Sequence, residues 1–285
     1  MTYQPAGIAD DPSILPKLPA WVTSGRAETP EDVMFLSGAV LTHLHLVARH
    51  ASVPHSLLRD RLAFLAAEAC LTRAGRPERL SDLRDEVHLA RPGEALTPGG
   101  AMVARWRDAV RAPVGKPMSR QAPLCVAAET LRNALTRDPS DQVAALIGAE
   151  TALARSLGWD RPVPILSLGL KGRDMALDAA SLRQACARVI VTAGPKVLVM
   201  AQDLAQRAER LHSVAPKLRA KGAGAAIRVF LEQEALSPTI ALSPVVRGST
   251  ARMTDRAARR LCDRLVELGC VRELSGRASF RLYGV

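Results

Sequence analysis

Residues 253–285 read MTDRAARRLCDRLVELGCVRELSGRASFRLYGV; six arginines fall from Arg252 to Arg272, and Arg277 and Arg281 follow. Wound at 100° per residue, Thr254 to Leu268 separates into two faces. Ala257, Ala258, Leu261, Cys262, Leu265 and Leu268 gather on one side. Asp255, Arg256, Arg259, Arg260, Asp263, Arg264 and Glu267 gather on the other, with Val266 the one apolar intruder. Thr254 suits the N-cap, Asp255 the positive end of the helix dipole, and Gly269 a left-handed C-cap. The pattern predicts a helix over 254–268.

After it come CVREL, then Ser275-Gly276, then RASFRLYG. Ser-Gly between two extended runs predicts a hairpin turn. In the second run Ala278, Phe280 and Leu282 alternate with Arg277, Ser279, Arg281 and Tyr283, so one face should pack inward and the other present two arginines. Upstream, AGAAIRVFLEQEAL (223–236) reads as an amphipathic helix with Ile227, Phe230 and Leu231 inward, and SPTIALSPVV (237–246) as a short helix begun by Ser237-Pro238. Helix, short helix, helix and hairpin in that order resemble a winged helix-turn-helix, with 254–268 as recognition helix and 270–283 as wing. Such a helix offers its N-terminal half to base edges in the major groove. Thr254, Arg256, Arg259, Arg260 and Arg264 are then the candidate contacts on the helix, and Arg277 and Arg281 those on the wing. Arg252, Lys217, Arg219 and Lys221 are candidates on the preceding segments. Asp263 and Glu267 also offer intrahelix partners to Arg259, Arg260 and Arg264, in which case the face is merely solvated.

The chain resembles, through APKLRAKGAGAA (215–226), DRAARRLCDRLVELGCVRELSGRASFRLYG (255–284) and APLCVAAE (122–129), a family of uncharacterised alphaproteobacterial proteins that are often plasmid-borne. That resemblance seconds the helix-turn-helix and carries over no activity and no catalytic residue.

Composition agrees with a polyanion partner. The chain of 285 residues has a formal charge of +11, and 14 Lys and Arg against 6 Asp and Glu lie from residue 210 onward, so 14 − 6 = +8 sits in about a quarter of it. An even spread would suit a generic basic surface; this asymmetry suits nucleic acid. Hydrophobic residues make up 48% and aromatics 3%, with Ala and Leu dominant, which favours helices packed on helices. The five cysteines, Cys70, Cys125, Cys186, Cys262 and Cys270, form no C-x-x-C pair and read as reduced thiols of a cytoplasmic protein. No uninterrupted apolar run reaches the ~18 residues of a membrane span, and the start lacks the basic end and apolar core of a signal peptide.

The remainder reads as an N-terminal multi-helix domain. Residues 1–28 are proline-rich and should form an extended arm whose Trp21 docks on the body. Thr29-Pro30-Glu31-Asp32 starts a helix to about Ala48. Further helices are expected at 57–74, 79–89, 101–111, 122–137 and 141–157, with 91–100 as a loop, 159–170 as a buried strand or strap, and a long helical region over 176–212 broken at Gly194-Pro195. AEACLTR (67–73) and AETALAR (149–155) suggest two related helical hairpins. The domains expected are 29–212 and 222–285, joined by a basic segment at 213–221. His43 and His45 point about 200° apart on a helix and cannot share a metal. No G-x-S-x-G, P-loop or H-E-x-x-H occurs, so no catalytic residue, metal or cofactor is implied.

The expectation is a mostly α protein with a C-terminal winged helix and small β-hairpin wing. It should bind double-stranded DNA in the cytoplasm, at the nucleoid, as a sequence-specific transcriptional or plasmid-associated factor. Its helical domain should serve a homodimer or a protein partner. The alternative is a non-catalytic adaptor whose winged helix binds protein.

Overall fold

The computed structural model describes residues 15–24, 27–91, 93–116, 121–218, 222–242 and 253–285. Eleven helices follow in order among them: α1 (Ala20–Ser24), α2 (Pro30–Val47), α3 (His55–Arg73), α4 (Leu80–Leu89), α5 (Pro98–Arg111), α6 (Pro123–Arg137), α7 (Gln142–Ser156), α8 (Leu166–Gly169), α9 (Ala179–Val214), α10 (Ala223–Phe230) and α11 (Asp255–Glu267). Two short strands, β1 (Arg272–Glu273) and β2 (Tyr283–Gly284), close the series. The protein is mostly helical, as the Ala- and Leu-rich composition predicts.

Local chemistry explains most boundaries. Thr29 caps α2 through a reciprocal box in which its hydroxyl accepts from Asp32 N at 3.1 Å and its own N–H donates to Asp32 Oδ2 at 3.0 Å. Thr97, not residue 101, opens α5: its hydroxyl accepts from Gly99 N, with Pro98 in the first turn, so the expected loop ends three residues early. The arm is not wholly extended either. Residues 20–24 form α1, and Trp21 stacks on Phe35 with ring centroids 5.6 Å apart.

The largest correction falls in α9, which runs unbroken for 36 residues, about 54 Å at 1.5 Å per residue. Pro195 lies inside it without ending it. Gly194 is there for contact: a Cβ on it would come within 2.4 Å of Val40 Cγ1 on α2. The small residue lets the two backbones cross closely, and the packing along α2 outweighs the hydrogen bond lost at proline. By length and composition α9 is also the one helix among the described residues that could cross a membrane; half of its most apolar window is buried inside this fold.

Residues 159–170 form the strap rather than a strand. Val163, Ile165 and Leu166 are buried, and Leu166–Gly169 turn once as α8. Two side chains hold it. Arg73 donates to Ser167 O at 2.8 Å and Leu170 O at 3.0 Å, and Glu150 Oε1 accepts from Ile165 N at 2.7 Å, Ser167 N at 2.9 Å and the Ser167 hydroxyl. Glu68, at the matching place in the sequence repeat, likewise accepts from Leu80 N at 3.0 Å. Both repeats end in a left-handed glycine, Gly75 and Gly158, with the same C-terminal bonding pattern.

The four histidines of residues 43–55 each have a hydrogen-bond partner, distant in sequence for His43 with Lys17 O and His45 with Trp159 Nε1, and local for His50 with Ser52 and His55 with His50 O. All five cysteines are free, and burial pushes the Cys186 and Cys262 thiols up to about 12.

Two buried groups set opposing pH dependences. Burial raises the Glu150 carboxyl from 4.5 to about 7 against the hydrogen bonds that favour its anion. Its contribution is therefore present below pH 4.5 and is lost as pH rises through about 7. Burial, reinforced by Arg107 and Arg84, lowers His88 from 6.5 to about 3, so stability is lost as pH falls below 6.5 toward that value. Glu150→Gln removes the first effect alone. In urea unfolding, the stability of the variant relative to the parent should rise by about 3 kcal/mol between the acid and alkaline sides of that window, whereas an unchanged difference would mean that Glu150 titrates normally.

Candidate nucleic-acid interface

The basic C-terminal stretch folds as read in its helix and differently in its hairpin. Thr254 caps α11 by accepting from Ala257 N, and Ala258, Leu261, Cys262 and Leu265 are buried beneath it. Gly269 takes the left-handed C-terminal position. Helix α10 stops at Phe230 rather than 236. The chain then turns so that Glu234 enters the body and Leu236 lies extended. Pro238–Leu242 make one wide π-type turn; the rest of the expected short helix, with Arg252, lies outside the described residues, as do Arg219 and Lys221.

β2 is the centre of the small sheet. It pairs antiparallel with β1, Arg272 opposite Gly284 and Glu273 opposite Tyr283. On its other side Tyr283 exchanges two backbone bonds with Leu236, at 2.9 and 3.0 Å. Leu274 N donates to Leu282 O, and beyond that pair the chain leaves the ladder. The expected two-residue turn at Ser275-Gly276 does not form, because Leu274 pairs with Leu282 across a longer loop; the Glu273 carboxylate fastens the start of that loop by accepting from the Ser275 and Gly276 N–H groups. The expected alternation over 277–283 does not form. Ala278 and Phe280 are exposed, Phe280 at 73% and with φ of 53°, while both Leu282 and Tyr283 are buried. The alternating letters mark a loop over 275–281, because Tyr283 is claimed by the sheet centre instead.

The arginines divide by partner. Arg256, Arg259 and Arg260 are exposed and make no ion pair or side-chain hydrogen bond among the described residues. The acid that sequence spacing offered to Arg259 is taken: Tyr283 donates its hydroxyl to Asp263 Oδ1 at 3.1 Å. Arg264 pairs with Glu267 at 2.9 Å, both largely exposed. Arg277 reaches across to the body and pairs with Asp85 on α4 at 2.6 Å. Arg281 donates to the Arg277 carbonyl at 3.0 Å. Lys217 is exposed in a 3-10 turn after α9. Between α11 and the loop lies a cleft of about 410 Å³ lined by Thr239, Arg259, Asp263, Phe280, Arg281 and Tyr283. Thr239 and Phe280 were missed in the sequence, since nothing there signals that Phe280 points outward.

Sequence reasoning also missed how this unit is held. Glu234, fully buried, accepts from Arg61 Nε at 2.5 Å and from Arg84 Nε at 2.9 Å. Asp60, 2% exposed, accepts from Glu234 N at 2.9 Å, from Arg107 Nε at 2.7 Å and from Arg111 Nη2 at 3.2 Å. Arg61 Nη2 also donates to Val285 O at 2.8 Å. Gly284 fits because it carries no Cβ; one would meet Glu234 O at 2.7 Å. The apolar core is likewise shared, running from α2 and α3 through α10 and α11 to Val285.

The chain is thus a helical body to which a small basic unit of helices and hairpin is docked by buried charge. It belongs to a family described as a protein of unknown function, DUF1403, which matches residues 7–120 and 116–285. No curated protein and no solved structure matches it.

Glu234→Ala leaves Arg61 and Arg84 without their carboxylate in a buried setting. The variant should lose about 3–5 kcal/mol in denaturant unfolding, and Arg277→Ala, which breaks an exposed pair, no more than about 1 kcal/mol. Equal losses for the two would contradict the docking role given to Glu234.

Proposed function

We propose that this protein binds double-stranded DNA in a sequence-specific manner through residues 222–285, acting as a winged helix-turn-helix with α11 as recognition helix and 270–283 as wing. The observation that carries this reading is a set of three exposed arginines, Arg256, Arg259 and Arg260, on the outer face of one capped helix, none with an ion pair or side-chain hydrogen bond among the described residues. An exposed charged face normally neutralises itself through i, i+4 pairs; here Asp263 accepts from the Tyr283 hydroxyl and pairs with neither Arg259 nor Arg260. The sheet order supports the same reading. A strand that lies between the residue after the first helix and the strand after the recognition helix is how a winged helix closes its wing. The role fits a transcriptional or plasmid-associated factor of the nucleoid, in keeping with the alphaproteobacterial resemblance, with the helical body serving self-association or a protein partner and no catalytic group involved.

The second reading, a protein-binding adaptor, is favoured by Phe280, an aromatic held outward beside the cleft.

The DNA reading separates the arginines further than spacing alone. Arg256→Ala or Arg260→Ala should cost about 1–3 kcal/mol on a preferred site and relax sequence choice there. Arg281→Ala should weaken all sequences alike and reduce the salt slope by about one unit. Arg277, engaged by Asp85, should matter less than Arg281 unless Asp85→Ala frees it. Electrophoretic shifts at two salt concentrations measure all four. Parental DNA binding that survives every substitution, or no binding at low salt, would hand the function to the adaptor reading.

A further inference from the structure

A second concentration of positive charge lies away from α11. A polar cleft of about 510 Å³ opens where the start of α3, the end of α5, the strap and the turn after α10 meet, and it is lined by Ser56, Arg59, Arg111, Arg161, Glu232 and Gln233, with Asp60 at its base. Arg59 and Arg161 make no ion pair or side-chain hydrogen bond among the described residues, although both are half-buried. Unpaired guanidiniums in a concavity are costly to hold together. Burial, and next the like charge of Arg161, pull Arg59 below the usual arginine range, and Asp160 offsets this only in part.

The acids of the lining do not satisfy them. Asp60 is already engaged by Arg107, Arg111 and Glu234 N, and Glu232 sits exposed. Two carboxylates line the cleft, but neither pairs with Arg59 or Arg161 among the described residues, so these two guanidiniums keep donors for an oxyanion, whose geometry the planar forks match. Ser56 and Gln233 add a hydroxyl and an amide. The first turn of α3, from which Ser56 lines the cleft, has no side-chain cap and no acid, so the positive end of that helix is not offset.

We propose that this cleft binds a phosphate group of a small phosphorylated molecule, held by Arg59, Arg161 and Arg111. The volume suits a small ligand. Gln233 belongs to the C-terminal unit and the arginines to the body, so an occupant touches both and strengthens their docking. The site is independent of the DNA reading, because none of its residues lies on α11 or the wing.

The test is calorimetric titration of the full chain with inorganic phosphate and with pyrophosphate at constant ionic strength, chloride replacing the anion in the reference. Binding of either is expected below about 10 mM, with Arg161→Gln and Arg59→Gln each weakening it at least about tenfold. Arg161 makes no ion pair or side-chain hydrogen bond among the described residues, so its variant should keep the parental circular dichroism. Arg256→Ala should bind phosphate as the parent does while losing DNA affinity, which separates the cleft from general attraction to a basic surface. The proposal fails if the parent binds neither anion in that range, if Arg161→Gln binds as the parent does, or if Arg256→Ala weakens phosphate as much as Arg59→Gln.

Discussion

Among the described residues, two buried carboxylates orient the unit C-terminal to α9 on the helical body with which it shares its apolar core. Asp60 and Glu234 lie side by side at the seam, one from α3 and one from the turn after α10, and Arg61, Arg84, Arg107 and Arg111 surround them. Burying such charges is expensive, and the arrangement holds because each carboxylate oxygen has a donor. Hydrophobic contact between two Ala- and Leu-rich surfaces would tolerate sliding; directional guanidinium–carboxylate bonds do not. The network therefore supplies orientation more than net stability, and it sets which face of α11 looks away from the body.

With that orientation given, the positive charge sorts into three populations. Arg61, Arg84 and Arg107 are spent internally. Arg264 and Arg277 are paired at the surface. Arg256, Arg259 and Arg260 on α11, and Arg59 and Arg161 in the seam cleft, have no acid of their own among the described residues. Counting charges by sequence position lumps these together, and the excess of +8 from residue 210 onward overstates what a partner meets on the wing.

Elements whose signals are local were legible in the sequence. The capping box at Thr29, the faces of α11 and the glycine after it are all decided within one or two turns of chain. What was illegible depends on distance. Nothing near Glu234 announces Asp60, which lies 174 residues away, and the early end of α10 follows from that contact rather than from propensity. Pro195 misled because its cost is local and its compensation, the Gly194–Val40 crossing, is not. The wing misled for a related reason. RASFRLY alternates like a strand, but Tyr283 is drawn to the sheet centre and to Asp263, and Phe280 is left outside. The candidate site was thus readable in its arginines and unreadable in their partners.

The central place of β2 has a bearing on synthesis. Residues 236 and 272–273 emerge from a ribosome well before 282–285, and neither can pair in this sheet until that segment follows. During the interval the backbone of Leu236 and β1 is unpaired, and Arg61 lacks Val285 as an acceptor. The helical body can be assembled by then, since its contacts are made among α2 to α9. Vectorial synthesis would accordingly deliver a finished body carrying an open seam, and the seam would close in one late event that completes the sheet and the docking together.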